Sequence, residues 1–359
     1  MKTRMRAIDF FCGAGGLSRG LLDAGIQVIA GFDSDGRCRE TYERNNRGSR
    51  FYEQDVSKLD PLTLWKVLGA RRTSDVLFAG CAPCQPFSKH RRSICQEDDR
   101  RLEYERQAKL LGAFARLVSE IRPGQVLIEN VPGLTRVPGF STYRRFVRTL
   151  RSLGYQIAEA ILDAKDFGVP QTRRRFVLLA MQKGRPTLPT PQFGRAANNY
   201  TTVGEAIAHY PPIRSGERHL LVPNHEAAAI SQLNLKRLQC TPHNGGDRRA
   251  WARELVLACH KGSHSGHTDV YGRMAWNKPA PTLTGRCNSI SNGRYGHPCQ
   301  DRALSLREAA SLQTFADDYV FYGAHQHIAR QIGNAVPVKF GEWLGRHILS
   351  LRNNDQKPI

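Results

Sequence analysis

Short apolar runs at residues 7–11, 28–32, 76–79 and 126–129 (AIDFF, VIAGF, VLFA, VLIE) alternate with segments of helical periodicity at 17–24, 37–44 and 107–121. The runs are short and β-branched or aromatic, without polar alternation, which reads as strands covered on both faces. Parallel strands need crossovers, and crossovers are right-handed, so the pattern implies a doubly wound, mostly parallel α/β sheet. A helix at 142–153 and two further strands, at 155–163 and 175–180, extend it. Three prolines in GRPTLPTP, Gly184 to Pro191, then change the texture. We expect a first domain over 1–184, a smaller loop-rich domain over 185–298, a segment over 299–352 that returns to the first domain, and a frayed tail over 353–359. In the third segment Ser305 and Glu308 form a capping box on a helix over 305–312, and 338–351 reads as an amphipathic helix.

Charge narrows the partners. Lys and Arg number 53 against 32 Asp and Glu, a net charge of +21, which points to a polyanion and most economically to nucleic acid. Nine cysteines, scattered and odd in number, suggest reduced thiols rather than a disulfide framework. No stretch reaches the length of a membrane span and the basic start runs into glycines rather than a signal-type core, so the expected location is the cytosol, with no membrane partner.

Three features carry chemistry. DFFCGAGG, Asp9 to Gly16, is a strand opening through a Gly-rich turn into a helix, where backbone can approach a ligand closely. Asp33 ends the second strand, as a ribose diol requires of its acceptor, and Asp55 lies where an adenine amino group could bind; no Walker Lys-Ser/Thr follows the glycines. GCAPCQPFS, Gly80 to Ser88, holds the chain's one Cys-x-x-Cys, which lacks the second pair of a zinc site and the small fold of a thioredoxin. The strand before it delivers Cys84 at its carboxyl end, where open α/β sheets keep their chemistry, and a thiolate there can attack an electrophilic carbon.

Pro83-Cys84-Gln85, then Glu129-Asn130-Val131, then QTRRR at 171–175 resemble, in that order, the DNA (cytosine-5) methyltransferases of bacterial restriction–modification systems. Phe11 to Gly16, Asp33, Asp55, Arg307-Glu308-Ala309 and Gly333-Asn334 continue the collinear match over 5–180 and 300–350. The resemblance implies transfer of a methyl group from S-adenosylmethionine to carbon 5 of a flipped-out cytosine in duplex DNA, on a Rossmann-like methyltransferase fold. It makes Cys84 the nucleophile for carbon 6, Glu129 the holder of a proton at ring nitrogen 3, and Arg173 and Arg175 the grip on the cytosine carbonyl. Alternation along a strand would turn both arginines to one side. Phe11, Gly13, Ala14, Gly15, Gly16, Asp33, Asp55, Pro83, Leu110, Asn334 and Val336 would hold the donor.

Residues 1–184 thereby become the catalytic domain and 185–298 the target-recognition domain. Gln85, Ser88, Arg91 and Arg92 belong to a basic segment running to Arg101 that we expect to close over DNA as a loop. Arg248, Arg249, Arg273, Thr282, Leu283, Arg286 and Arg294 are the candidate DNA contacts in the recognition domain. Cys240, His243, Cys259, His260, His264, His267, His297 and Cys299 form no recognised four-ligand spacing, and no metal is expected. We expect a nucleoid-associated monomer paired with a separately acting restriction endonuclease. An RNA cytosine methyltransferase and a DNA-binding regulator without catalysis are the rival readings. Ala316, Arg174 and the absence of a glycine hinge after Ser88 depart from the family pattern without removing a catalytic group.

Overall fold

The computed structural model describes residues 4–69, 72–82, 97–135, 141–194, 199–261 and 269–354. The chain divides into two compact units, the first of residues 1–163, 174–190 and 340–359, the second of 164–173 and 191–339.

The strands described in the first unit are β1 (Arg6–Phe10), β2 (Gln27–Asp33), β3 (Arg50–Glu53), β4 (Val76–Gly80), β5 (Gln125–Asn130), β6 (Gln156–Asp163) and β7 (Arg174–Met181). They form one sheet in the order β3-β2-β1-β4-β5-β7-β6. β1 to β5 pair in parallel, whereas β7 is antiparallel to both β5 and β6. β4 and β5 are buried at every residue, as unbroken apolar runs require. Between the strands lie α1 (Gly16–Asp23), α2 (Arg39–Asn45), α3 (Pro61–Leu68), α4 (Glu97–Ile121) and α5 (Ser141–Ser152).

Alternate residues of the central strands build two faces. Ile8, Phe10, Phe32, Phe78, Val126 and Ile128 join Leu64 of α3, Phe114 of α4 and Phe146 of α5 in one core. Phe10 is its hub, with ring centroids 5.6 Å from Phe32, 4.9 Å from Phe78 and 5.2 Å from Phe114. Such pairs add about 0.5–1.5 kcal/mol each beyond the area they bury. The chain's last helix, α10 (Val338–Asn354), runs from Phe340 onward in the first unit, against α1. A Cβ on Gly345 would lie 2.7 Å from the Ala24 Cβ, so glycine is what permits that approach.

The second unit is loop-rich, as expected, with α6 (Val203–Ile207), α7 (Gln232–Gln239), α8 (Leu306–Leu312) and α9 (His325–Asn334). Among its described residues β-pairing is limited to isolated bridges, and buried arginines supply donors to many of the carbonyls. Arg273, Arg302 and Arg307 are all fully buried. Arg302 donates to the Glu308 carboxylate at 2.7 and 2.6 Å and to the Ile213 carbonyl at 3.1 Å, and Arg307 to the carbonyls of Asp317 and Tyr319. The expected capping box is present, with Ser305 and Glu308 each bonded to the other's backbone N–H.

Several boundaries differ from the sequence expectation. The first unit extends past 184 to 190, while 164–173 and most of 299–352, as far as 339, belong to the second unit. α3 is absent from that expectation although its signals are present: Asp60 caps it, Pro61 opens it and Gly69 closes it at φ 56°. β3, a four-residue edge strand, offers no periodicity to read. α4 begins at Glu97, ten residues before the expected start, because its first turns are too polar to carry an apolar stripe; residues 97–101, expected in a loop, are helical.

Candidate active site

Strand order reverses between β1 and β4, which lie side by side in register, Phe10 opposite Gly80. The chain leaves β1 toward α1 and leaves β4 toward Cys84, so both turns emerge together at the carboxyl edge. That is the switch point at which open α/β sheets bind ligands. The Cys81 N–H donates to the Phe10 carbonyl at 3.3 Å and carries the pairing one step past the strands.

The turn after β1 has a strained backbone. Phe11, Gly13 and Gly15 stand at φ 60°, 50° and 87°. The left-handed region costs a non-glycine residue about 1–2 kcal/mol, and such strain gathers at functional turns. A Cβ on Gly13 would meet no atom within 4 Å, so the turn faces open space there. Asp33 ties β2 to this turn: its carboxylate accepts the Gly13 N–H at 2.9 Å and the Asp35 N–H at 2.9 Å. Burial pushes its pKa up, against the pull of backbone N–H groups at Asp35, Gly13 and Ser34. The Ser34 N–H also bears on this carboxylate, which offers about four lone-pair sites in all, so acceptor capacity remains for a diol hydroxyl. Asp55 is half-buried, and accepts the Ser57 N–H at 2.8 Å as it caps a turn beyond β3. Leu110 is half-buried on α4.

Beneath the turn runs a buried chain that the sequence reading did not assign. Asp9 accepts from the Ser18 hydroxyl at 2.6 Å, Ser18 meets the Tyr42 hydroxyl at 2.9 Å, and Tyr42 meets the Ser49 hydroxyl at 2.8 Å. Complete burial pushes the Asp9 carboxyl up to about 7, despite the hydrogen bond from Ser18. Asp9 precedes the glycines in the motif itself, so an acid in an otherwise apolar strand was the available signal.

Pro83, Cys84, Gln85, Ser88, Arg91 and Arg92 lie outside the described residues. The described chain before them ends at Ala82, whose carbonyl accepts from Asn130 Nδ2 at 3.1 Å, while Asn130 Oδ1 accepts the Val131 N–H at 2.9 Å. Asn130 thus anchors the backbone two residues before Cys84. Glu129, the residue before it, is buried and ion-paired with Arg175, Nε to Oε1, at 2.9 Å. β5 and β7 pair Glu129 with Val177, which puts Arg175 diagonally across on the same face.

Arg173 departs from the expected alternation. β7 starts at Arg174, and Arg173 belongs to the second unit, so no shared strand turns it and Arg175 to one side. Its buried guanidinium donates to the carbonyls of Leu283 at 3.0 Å, Gly333 at 3.3 Å and Ala335 at 3.0 Å. Gln171 donates to Gln313 Oε1 at 2.9 Å, and Gln313 to the Ile332 carbonyl at 2.7 Å. The two glutamines and the arginine clamp the turn after α9 to the Thr282–Leu283 segment. Asn334 is exposed at the end of α9 and Val336 is buried beyond it.

The sequence profile of the C-5 cytosine-specific DNA methylases matches residues 5–350. The chain belongs to that family. It is 39% identical over 346 residues to the type II methylase M.HgiDII of Herpetosiphon aurantiacus, covering 95% of this chain and 94% of that one. To the type II methyltransferase M1.HphI of Haemophilus parahaemolyticus it is 32% identical, covering 97% and 87%. The fold is similar to the crystal structure of a DNA modification methyltransferase encoded by an E. coli prophage, with TM-score 0.72, 22% identity, and 97% and 99% of the two chains covered. It is similar also to the S. pombe Dnmt2 methyltransferase, with TM-score 0.63, 17% identity, and 98% and 100% covered. The enzyme is therefore a DNA (cytosine-5) methyltransferase on the methyltransferase α/β fold.

The recognition residues expected of this methylase divide sharply. Arg273 cannot contact DNA: it is 1% exposed, and its guanidinium is consumed by the carbonyls of Leu238, Thr241, His297 and Gln300 and by the Asp301 carboxylate. The Leu283 side chain is likewise interior, at 1% exposure. Arg294 is half-buried on Asp247 at 2.8 Å, and the Thr282 hydroxyl donates to the Thr172 carbonyl at 2.7 Å. Arg249 is exposed, with one edge on Asp247; Arg286 is exposed and Arg248 half-buried. Among the described residues, none of Cys240, His243, Cys259, His260, His297 and Cys299 joins a cluster of three ligand atoms. Buried His297 instead lies 3.6 Å from Glu308.

Proposed function

We propose that this enzyme modifies duplex DNA through a covalent Cys84 adduct, as the modification partner of a separately acting restriction endonuclease. The observation that carries the chemistry is the convergence of the Gly-rich turn, the backbone leading to Cys84, and the Glu129–Arg175 pair at one carboxyl edge. The names of the type II relatives support the restriction–modification setting.

Carbon 5 of cytosine is a weak nucleophile until the ring is opened to electron flow. In our reading the Cys84 thiolate adds to carbon 6 of a cytosine swung out of the stack, and Glu129 holds a proton at nitrogen 3 to neutralise the charge formed there. Arg175 fixes the Glu129 carboxyl and presents its remaining donors to the ring carbonyl. Arg173 acts as a positioning residue through the turn at Gly333 to Ala335.

The residues of the Gly-rich turn fit S-adenosylmethionine: open space before Gly13, spare acceptor capacity on Asp33, and an acid at Asp55 for an amino group. When bound, that donor supplies a methyl group on a positive sulfonium centre. Loss of the carbon 5 proton and expulsion of Cys84 then restore the ring. By the family resemblance, Phe11, Ala14, Gly15, Gly16, Pro83, Leu110, Asn334 and Val336 would complete the donor site, and Gln85, Ser88, Arg91, Arg92, Arg248, Arg249, Arg286, Arg294 and Thr282 would meet the DNA. No step needs a metal. We place the enzyme in the cytosol as a monomer; no described helix is long and apolar enough to cross a membrane.

Bisulfite sequencing of DNA from cells expressing the chain tests activity and site together. Cys84→Ser is expected to abolish methylation while retaining DNA binding. A duplex carrying 5-fluorocytosine at the target should remain covalently attached to Cys84, and attachment through any other side chain refutes the assignment.

A further inference from the structure

α5, Ser141–Ser152, has the sequence STYRRFVRTLRS, with four arginines and no acidic residue. Arg144, Arg145, Arg148 and Arg151 are all exposed, and none enters an ion pair among the described residues. At 3.6 residues per turn, Arg144, Arg148 and Arg151 fall within an arc of about 60° and span roughly 10 Å of helix. Arg145 turns the other way, into a groove of ≈ 550 Å³ between α4 and α5, which Lys109 and Arg116 line from the α4 side and the side chains of Thr142 and Thr149 from the α5 side. Gly112 forms part of the floor, and a Cβ there would meet nothing within 4 Å.

We propose that this arginine stripe and groove form a docking surface for the phosphodiester backbone of duplex DNA, separate from the recognition segment and blind to sequence. Guanidinium forks match phosphate oxygens in geometry as well as charge, and the hydroxyls beside them are further donors. A track of about 10 Å meets two to three phosphates of one strand at a rise of 3.4 Å each. The apolar residues of α5 point inward, Phe146, Val147 and Leu150 being buried. The arginine stripe therefore has neither the aromatic anchor of a protein interface nor the apolar face of a membrane helix, and Phe146, 2% exposed, reaches only the wall of the groove. On an enzyme that must search long DNA, such a surface holds the duplex between target sites.

The test measures binding of a 30-base-pair random-sequence duplex against NaCl concentration, for the parent, for Arg144→Gln/Arg148→Gln/Arg151→Gln, and for Gly112→Glu. Glutamine keeps helix propensity, and the glutamate enters open space, so both variants should melt like the parent. For the triple variant the slope of log K on log salt should fall by about 2–3, at roughly 0.9 for each phosphate no longer neutralised. Gly112→Glu should weaken binding at low salt several-fold. Methyl transfer to a short duplex bearing the target should persist in both, which keeps this proposal separable from the catalytic assignment. Unchanged slope and affinity in both variants overturn it. So does an equal loss per charge in Arg47→Gln/Arg50→Gln, two exposed arginines off this face, which would reduce the effect to net charge.

Discussion

The bond from Asn130 to the Ala82 carbonyl, 3.1 Å long, is a side-chain contact on the backbone that precedes Cys84. Asn130→Asp isolates it, because a carboxylate oxygen can still accept the Val131 N–H while its other oxygen faces the Ala82 carbonyl instead of donating to it. A neutral hydrogen bond is worth about 1 kcal/mol net, and a carbonyl left without its donor costs about 1–3 kcal/mol when buried. Asn130 is 3% exposed and Ala82 half-buried, which places the loss in the middle of that range. If the bond serves to hold the nucleophile in place, the loss falls on the transition state, and about 1.4–2.8 kcal/mol lowers kcat roughly 10- to 100-fold. The assay is single-turnover transfer of tritiated methyl to saturating duplex DNA, with thermal melting in parallel. Asn130→Ala removes both this bond and the acceptor of the Val131 N–H, so its turnover should also fall at least about 10-fold. Turnover of Asn130→Asp within twofold of the parent, alongside a lowered melting temperature, would refute the positional role and leave only a structural one.

Asp9 predicts a pH dependence of stability. Its carboxyl is raised from the ordinary 3.8 to about 7 by burial, so the folded state holds a proton that the unfolded chain has released. Stability should therefore fall as pH rises between those values and level off above 7, by as much as about 4 kcal/mol. Asp9→Asn should flatten that fall in thermal melts at pH 5 to 8, and parallel curves for the two proteins would contradict the assignment. Arg273→Gln should destabilise the second unit by roughly 3–5 kcal/mol, because it strands four carbonyls and a carboxylate. A variant that melts normally but changes sequence preference would restore Arg273 to the DNA surface. Glu308→Gln removes the partner of buried Arg302 and should cost a similar amount, read by urea denaturation.

The elements that build the candidate edge were legible because their signals are local. Apolar runs fix strands, glycines fix the turn after β1, and an acid that closes an apolar strand, as Asp33 and Glu129 do, advertises a site. The same logic failed for Arg173, where two-residue spacing suggested a shared face, but the strand begins one residue later and the guanidinium is drawn to carbonyls from residues 283–335. It failed again for Arg273 and Leu283, since composition cannot separate an arginine that reads DNA from one that satisfies a loop-rich interior. The sequence by itself determined the strand–helix alternation, the order of the motifs and the chemistry their side chains can perform. Only the tertiary structure decided which cations are spent inside the protein and which face solvent, that Arg175 pairs with Glu129, and that Asp9 sits in a buried hydroxyl chain. The physical reason is that a hydrogen bond or ion pair depends on distances between residues far apart in the chain, and those distances do not exist until the chain has packed.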